Sequence, residues 1–575
     1  MPAKQTVLFA VSEYGEFLSL ISLADDMHAA WGIHPVFVFR ADYGALDRHS
    51  QTVEHRGYSW VWEGSERTFF DMSRNDSGLD DYIPSHLVTE YQSELKFTKE
   101  LIDNLKYEAS EYSAFDNYIY LIEAKITSII YYLFKAVGMR AKSDMIISRV
   151  LRGGVRRRIQ NMRNVFRRFN PVLVVSGQDY PLSITTIAAR VAGKRGISTA
   201  IVPFSMTPTT KEIAESFAGL QLNVLRPKQL KRVARLVGLR WVHRYRGRYY
   251  TRLPVLDILI SNRNGLTPPQ PWTPNSGAGI ILAPSQQSVD YCMSAGIPAN
   301  QLRLTGAIWN DELIEKAESR SMRRANLVRD IILTENYWRL STDRDHSPLS
   351  EADTTRADKK LLIFSWPPNQ WPRKAMGFAS YDAFSIALVE LLGTLMHAGI
   401  ANVAISLHPT LVHTEVGELI SKSGLHVTDV NLLDVIDCAD IYCATVSSTL
   451  LWGLQLGIPS INFDIYRYQY REFNQAGMLE ASSISQLKEH ILALIGKTTV
   501  YEETAARMGA ARDYWTIRDG KSRQRILAEL KALMGPPKIS GRKIIEYAAS
   551  ATTELPTTAR REVSRAVRQN SPSQG

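Results

Sequence analysis

The first forty residues alternate between short apolar runs and a helical pattern. Residues 7–11 (Val-Leu-Phe-Ala-Val) are rich in β-branched and aromatic side chains, which favours a buried strand. Apolar residues then recur at helical spacing from Phe17 to Met27, Gly32 ends that pattern, and residues 35–39 form a second apolar run. A strand, a helix and a second strand in this order predict a βαβ unit within a parallel sheet.

The same alternation returns in two longer series. It resumes at residues 171–176 and runs to residues 302–306, with residues 258–260 (Ile-Leu-Ile) also predicted as a strand. The predicted strands of the second series are residues 361–365, 403–407, 441–444 and 460–463. We therefore predict an α/β fold of two doubly wound, Rossmann-like domains that face a cleft.

Segments without this alternation suggest the domain boundaries. Residues 80–150 have a helical pattern and no strand signal, which predicts a helical insertion in the first domain. Residues 336–359 are rich in Ser, Thr, Asp and Arg, which predicts a linker or mobile loop. The polar tail is predicted to be partly disordered. The predicted ranges are 1–335 for the N-terminal domain, 360–535 for the C-terminal domain and 536–575 for the tail.

Composition and charge add an anionic partner to this picture. The 575 residues carry 68 Lys and Arg against 58 Asp and Glu, a net charge of +10. Such an excess indicates a nucleic acid, an acidic membrane surface or a phosphorylated substrate. The three cysteines have no CxxC spacing, which excludes a zinc site or disulfide framework built on them and favours a reducing compartment. No signal pattern and no long apolar stretch is found, so a cytoplasmic location is expected.

Two polar motifs follow predicted strands of the second series. His408 and Pro409 come directly after residues 403–407, and a Ser-Ser-Thr sequence follows residues 441–444 and opens a helix. Small hydroxyl residues at such a position offer N–H and O–H donors to a phosphate. The alternative is that both motifs are ordinary helix caps. We favour phosphate binding because both motifs are expected at adjacent strand ends of one sheet.

The order of these motifs, followed by Gly-Ile-Pro-Ser-Ile-Asn-Phe at residues 457–463, resembles bacterial capsule and lipopolysaccharide glycosyltransferases of the GT-B fold. These families include sialyl- and 3-deoxy-octulosonic-acid transferases, which use CMP-sugars, and the related CDP-glycerol transferases. The resemblance covers the last third of the chain in detail. It implies that the histidine contacts the donor phosphate and is a candidate acid, and that the serine pair binds the same phosphate. The residues to which it assigns this phosphate are His408, Pro409, Ser447, Ser448 and Thr449.

The first half is expected to supply the acceptor site and a general base. Asp179 follows the apolar run at residues 172–176 and resembles the strand-end acid of non-hydrolysing UDP-N-acetylglucosamine epimerases and their transferase relatives. The resemblance implies that Asp179 takes a proton from the acceptor hydroxyl. An ordinary turn aspartate before Pro181 is an equally good interpretation. Glu13 is the second candidate, although Tyr14 separates it from Gly15, where the sialyltransferases have paired acids directly before a glycine.

A basic segment at residues 226–252 combines ten Lys or Arg with four large aromatic residues. We predict reversible binding of this segment to an anionic membrane surface, at the inner face of the cell membrane. A solvated helix face is the alternative. No nucleic-acid-binding motif accompanies the charge, so nucleic acid is not expected as a partner. The residues predicted to contact the membrane are Arg240, Trp241, Arg244 and Arg248.

These patterns together predict a glycosyltransferase that moves a sugar from a nucleotide sugar, with a CMP-sugar favoured, to a surface-polysaccharide, glycan or lipid-linked acceptor. Asp343 and Asp345 have a metal-binding spacing but lie in the predicted linker, so no metal and no other cofactor is expected. One alternative is a non-hydrolysing nucleotide-sugar epimerase of the same fold. The other is a non-catalytic basic scaffold that binds glycan or membrane.

Overall fold

The computed structural model covers most of both predicted domains. Most of the predicted insertion and linker, Asp343 and Asp345, and the whole predicted tail lie outside the residues it describes. Among the described residues, no helix is both long and apolar enough to span a bilayer. The described residues are 5–40, 46–63, 140–220, 223–317, 319–341, 358–369, 377–407, 411, 415–428, 430–468 and 472–535.

Strands and helices alternate along most of the chain. The strands are β1 (Thr6–Val11), β2 (His34–Phe39), β3 (Ser59–Trp62), β4 (Leu173–Ser176), β5 (Ser198–Ile201), β6 (Val224–Leu225), β7 (Val242–Tyr245), β8 (Arg248–Thr251), β9 (Ile280–Ala283), β10 (Leu302–Leu304), β11 (Leu361–Ser365), β12 (Asn402–Ser406), β13 (His426–Val427), β14 (Ile441–Ala444), β15 (Ser460–Phe463) and β16 (Leu479–Ala481).

The helices connect these strands and cover the sheets. They are α1 (Tyr14–Trp31), α2 (Leu46–His55), α3 (Arg140–Phe169), α4 (Ile184–Gly193), α5 (Thr210–Leu220), α6 (Pro227–Val237), α7 (Val255–Asn264), α8 (Gln286–Ser294), α9 (Ile308–Ala317), α10 (Arg320–Ser341), α11 (Tyr381–His397), α12 (Glu415–Lys422), α13 (Leu432–Val435), α14 (Leu450–Leu456), α15 (Glu472–Gln475), α16 (Ile484–Gly496), α17 (Thr498–Trp515) and α18 (Ser522–Leu533). Residues 258–260 lie in α7, so the strand predicted there is wrong.

Two large sheets share one strand order. The first runs β3-β2-β1-β4-β5-β9-β10 and the second β13-β12-β11-β14-β15-β16, and the strands of both pair in parallel. In each sheet the order reverses next to its first strand, between β1 and β4 and between β11 and β14. Ligands of doubly wound proteins bind at this reversal, beyond the carboxyl ends of the strands. The prediction of two Rossmann-like domains is confirmed.

Helices cover both faces of the first sheet, because successive side chains of a strand point to opposite faces. In β1, Val7, Phe9 and Val11 face the α1 side, whereas Leu8 and Ala10 face α3 and α4. The rings of Phe9 and Phe37 stack with centroids 5.0 Å apart. Burial of each such ring contributes about 2 kcal/mol of stability. Continuous apolar runs therefore form central parallel strands here.

The chain crosses between the two sheets more than once. Helices α9 and α10 precede β11, yet Trp309, Leu313 and Ile331 belong to the core of the second sheet. Near the end of the described chain, α18 returns to the first sheet and places Ile526 and Leu530 in its core. Each large core is therefore completed by segments that are distant in sequence.

A small antiparallel sheet, in the order β6-β8-β7, forms within the first half of the chain. Trp241 is fully buried beneath it, and its indole N–H donates to Asn262 Oδ1 at 3.2 Å. The prediction that Trp241 contacts a membrane is wrong, because this ring is a core residue of the small sheet. Arg240, Arg244 and Arg248 are exposed around it.

Candidate functional site

A chain of hydroxyl groups fixes the loop at the reversal of the second sheet. Thr449 Oγ1 donates its proton to Ser447 Oγ at 2.8 Å. Because that proton is used, the Tyr442 hydroxyl donates to Thr449 Oγ1 at 2.5 Å. Ser365 at the end of β11 then donates to Tyr442 across 2.8 Å. Burial raises the pKa of Tyr442 well above its ordinary value, which keeps its proton in place. Each hydroxyl group in this series thus donates its proton in the direction of Ser447.

The serine pair retains hydrogen-bonding capacity after these bonds are counted. Ser447 Oγ is the acceptor in its hydrogen bonds with Thr449, so its own proton is not used in them. Ser448 is partly exposed, and within the described part of the chain its hydroxyl has no hydrogen-bond partner. Two adjacent O–H donors therefore lie at the strand-order reversal of the second sheet, and such a pair of donors can bind an oxyanion.

The loop before the serine pair has an unusual backbone. Val446 has a φ of 45°, which is rare for a β-branched residue, and its N–H donates to Asn462 Oδ1 at 3.0 Å. Asn462 Nδ2 and Thr445 Oγ1 are buried and have no hydrogen-bond partner among the described residues. Strained backbone and unpaired buried polar atoms are both concentrated at functional sites. These features favour this loop as a binding site.

His408 and Pro409 lie outside the described residues, which stop at Leu407 and resume at Leu411. Strand β12, which leads to them, pairs with one edge of β11, while β14 pairs with the other edge. The expectation that the two motifs follow adjacent strands is therefore wrong, because β11 lies between them. Strand ends separated by one intervening strand are about 10 Å apart.

A buried carboxylate joins the loops at the reversal of the first sheet. Glu16, in the first turn of α1, is fully buried. One of its oxygens accepts from Ser12 N at 2.6 Å, Ser12 Oγ at 2.8 Å and Glu13 N at 3.2 Å. The other accepts from Gly177 N, after β4, at 2.6 Å. Burial, opposed by these bonds, raises the pKa of Glu16 to about 7.

Close packing around Glu16 requires glycine at Gly177. A Cβ there would lie 2.7 Å from the Phe204 ring and 2.8 Å from Glu16 Cγ. Phe204 belongs to the loop after β5, and its ring also approaches Gly15. Loops from three neighbouring strands of the first sheet therefore meet at Glu16.

Asp179, the first candidate for the base, is only 6% exposed. Thr186 Oγ1 donates to Asp179 Oδ1 at 2.5 Å, and the backbone N–H of Gly277 donates to the same carboxyl group. Burial raises the pKa of Asp179 to about 6 against these bonds. Its contacts tie the β4 loop to α4 and to the segment around Asn275, whose side chain accepts the Asp179 N–H at 2.8 Å.

Glu13, the second candidate, is exposed at the carboxyl end of β1. Its side chain accepts the backbone N–H of Glu16 and forms a capping box with that residue. Its carboxylate and that of Glu16 both raise the pKa of Tyr180, although burial of the phenol is the larger cause. Glu13 therefore borders the same site as Asp179 from the solvent side.

Helix α14, which follows the serine pair, contacts α9, which follows β10 of the first sheet. Gln455 in α14, after the serine pair, donates to Asn310 O in α9 at 2.6 Å. The rings of Trp309 and Trp452 have centroids 6.1 Å apart. In addition, Met206 in the loop after β5 packs against the core of the second sheet. Contacts from α9 and from the loop after β5 therefore join the two domains.

Strand order and paired domains define the class: a two-domain, doubly wound α/β protein. No protein-family model and no curated protein sequence matches the chain.

Several solved structures are similar to this chain in fold. UDP-GlcNAc 2-epimerase from Neisseria meningitidis bound to UDP-GlcNAc is 12% identical with a TM-score of 0.46, covering 92% of this chain and 100% of that chain. The wall teichoic acid polymerase TagF is 11% identical with a TM-score of 0.44, covering 92% and 89%. The glycosyltransferase VinC in complex with dTDP is 12% identical with a TM-score of 0.41, covering 92% and 99%.

The sequence interpretation missed three groups at these sites. Glu16 was signalled by its capping-box spacing from Glu13. Tyr442 and Asn462 are strand residues whose polar groups were masked by apolar neighbours in sequence, and nothing local indicates that they support the 445–449 loop.

Proposed function

We propose that this protein is a glycosyltransferase that takes a sugar from a nucleotide sugar, with a CMP-sugar favoured, and passes it to a glycan or lipid-linked acceptor. The observation that carries the proposal is the hydroxyl chain from Ser365 to Ser447 at the reversal of the second sheet. It presents two serine donors where doubly wound domains bind phosphates. The resemblance of the His-Pro and Ser-Ser motifs to CMP-sugar transferases supports the same assignment.

On the donor side, Ser447 and Ser448 donate to the nucleotide phosphate. His408 and Pro409, which follow β12 in sequence, are assigned to the same phosphate by the resemblance of their motif. Thr449 and Tyr442 hold the serine loop in place. Negative charge develops on this phosphate as the glycosidic bond to the nucleotide breaks, so donors fixed in advance stabilise the transition state. No metal ion is assigned to this step.

On the acceptor side, a carboxylate takes the proton of the attacking hydroxyl. Glu13 is exposed and is able to reach an acceptor, whereas Asp179 is buried with its carboxyl group bonded to Thr186 and Gly277. We therefore assign Glu13 the role of base and Asp179 that of positioning the β4 loop. A pKa of about 6 is also suitable for a base, so Asp179 is the second choice.

Alanine variants of the donor residues test the proposal. Replacing Ser448 or His408 should lower kcat by about a hundredfold to a thousandfold, as removal of a preorganised donor does in other enzymes. Melting curves with CMP, CDP and UDP identify the nucleotide, because a ligand that binds only the folded state raises the Tm. Ser421→Ala changes an exposed serine of α12; it is the matched control and should retain full activity.

Other outcomes identify the rival functions. Turnover of a sugar nucleotide without any acceptor would establish an epimerase. If none of the three nucleotides raised the Tm, a non-catalytic scaffold would be favoured. Unchanged kcat in both Ser448→Ala and His408→Ala would contradict the donor site proposed here.

A further inference from the structure

Arg252 lies just after β8 in an aromatic setting. Its guanidinium stands over the ring of Phe217 at 5.4 Å from the centroid and over the ring of Tyr180 at 5.8 Å. It is mostly withdrawn from water, and this burial lowers its pKa. The side chain is thus held between two rings, away from bulk solvent.

Within the described residues, Arg252 has no counter-charge of the kind that a buried cation requires. Among the described residues, no Asp or Glu forms a salt bridge or a hydrogen bond with it, and the groups that act on its charge are the hydroxyls of Tyr180 and Tyr291. Burial of a charge without a partner is strongly unfavourable. Some other partly buried arginines of the described chain do have carboxylate partners, such as Arg158 with Glu63 and Arg323 with Asp437.

The position of Arg252 connects it to the candidate active site. Tyr180 directly follows Asp179 beyond the end of β4. The negative charges of Glu13 and Glu16 act on its hydroxyl and raise its pKa. Within the described part of the chain, the Tyr180 hydroxyl has no hydrogen-bond partner. Burial raises the pKa of Tyr180 to about 12, so this hydroxyl remains a donor at neutral pH.

We infer that Arg252 and Tyr180 form a subsite for an anionic oxygen group, a carboxylate or a phosphate, carried by the molecule that receives the sugar. A guanidinium with free N–H groups and a neighbouring phenol O–H match such a group, which supplies the missing counter-charge. The subsite lies on the first domain, away from the serine loop of the second. Its assignment to the acceptor rests on the proposed function, whereas its binding of an anion does not.

Isothermal titration calorimetry with three probes tests the subsite. Inorganic phosphate and glucuronic acid represent the two anionic chemistries, and glucose is the uncharged control. We expect at least one anionic probe to bind the wild type and glucose not to bind. Arg252→Gln should weaken that binding about 10- to 100-fold, the value of a charge-assisted hydrogen bond. Arg252→Lys should retain part of it.

Matched variants separate this subsite from the donor site and from general charge. Arg235→Gln removes an exposed arginine of α6 and should leave probe binding unchanged. Ser448→Ala should also leave it unchanged, since phosphate held by the serine loop would be lost in that variant instead. The Tm increase with nucleotide should persist in Arg252→Gln. Loss of nucleotide binding with intact Arg252-dependent probe binding would refute the proposed function but not the subsite.

Tyr180→Phe covers the case in which Arg252→Gln does not fold, because it removes only one hydroxyl. It should weaken anion binding by about threefold to tenfold. The inference is overturned if neither anionic probe binds the wild type, or if folded Arg252→Gln and Tyr180→Phe bind the probes as the wild type does.

Discussion

Glu16 is a carboxylate surrounded by hydrogen-bond donors and hidden from water. Its two oxygens accept from groups of two loops that follow different strands, so it fixes the reversal of the first sheet. Removing it by Glu16→Ala leaves those donors buried and unsatisfied. We expect a loss of about 3 kcal/mol or more in the free energy of unfolding, measured by urea titration. Glu489→Ala changes an exposed residue of α16; it is the control and should change this free energy by less than about 0.5 kcal/mol.

The same carboxylate should make stability depend on pH. Folding raises its pKa from 4.5 to about 7, so between these values the folded state binds more protons than the unfolded state. The stabilisation due to Glu16 is therefore complete below the lower value and is lost as the pH rises toward the upper one. The difference in the free energy of unfolding between the wild type and Glu16→Ala should therefore become smaller as the pH rises over this interval. A difference that widens would show that the hydrogen bonds outweigh burial.

Sequence reasoning located the loops after the strands but not the contacts of every residue in them. The run before Asp179 correctly placed a carboxylate after a buried strand, because continuous apolar residues identify central parallel strands. Whether that carboxylate is accessible depends on Thr186 and Gly277, which no local pattern connects to it. The prediction of a membrane contact for Trp241 was wrong for the same reason, because the burial of this ring depends on Asn262 and the small sheet.

Helix α18 is the element whose position was least visible in the sequence. Nothing in the local sequence indicates that Ile526 and Leu530 of this helix complete the core of the first sheet. Its N-terminus is held there too, because Ser522 N and Arg523 N donate to the Asp311 carboxylate at 3.1 and 2.8 Å. The Ile-Leu-Ile run in α7 shows the related difficulty that short apolar runs do not distinguish a strand from a helix.

Ile526→Ala tests the placement of α18. We expect it to lower the free energy of unfolding by about 2 to 5 kcal/mol, because it opens a cavity in a packed core. Hydrogen exchange should accelerate in β1 and β2, which share that core, and remain slow in β11 and β14. Leu492→Ala in α16 removes a side chain that is 38% exposed and is the control. Unchanged exchange in β1 and β2 would contradict the described packing.

For the molecule as a whole, the net charge of +10 still predicts association with anionic membranes, now through arginines without an aromatic anchor. Arg240, Arg244 and Arg248 are exposed, and each contributes about 1 kcal/mol near an anionic surface. Binding to anionic vesicles should weaken with salt, because exposed charges are screened beyond about 8–10 Å. Replacing all three with Gln should move the protein to the supernatant in co-sedimentation.

A second triple variant shows whether the position of the charge matters. Arg157, Arg163 and Arg167 are exposed on α3, and replacing them with Gln makes the same change in net charge. We expect this variant to sediment with anionic vesicles almost as the wild type does. Equal loss in both triples would mean that net charge alone drives association, and no sedimentation of the wild type at low salt would contradict membrane binding.

The return of α18 to the first sheet also has a consequence for how the protein is made. A ribosome synthesises the chain from its N-terminus, and domains usually fold as they emerge. Here the strands from β1 to β10 emerge long before Ile526, Leu530 and Met534, which belong to their core. The core of the first domain therefore stays incomplete, with an apolar face exposed, while the whole second domain is translated. That interval is when the nascent chain most needs a chaperone.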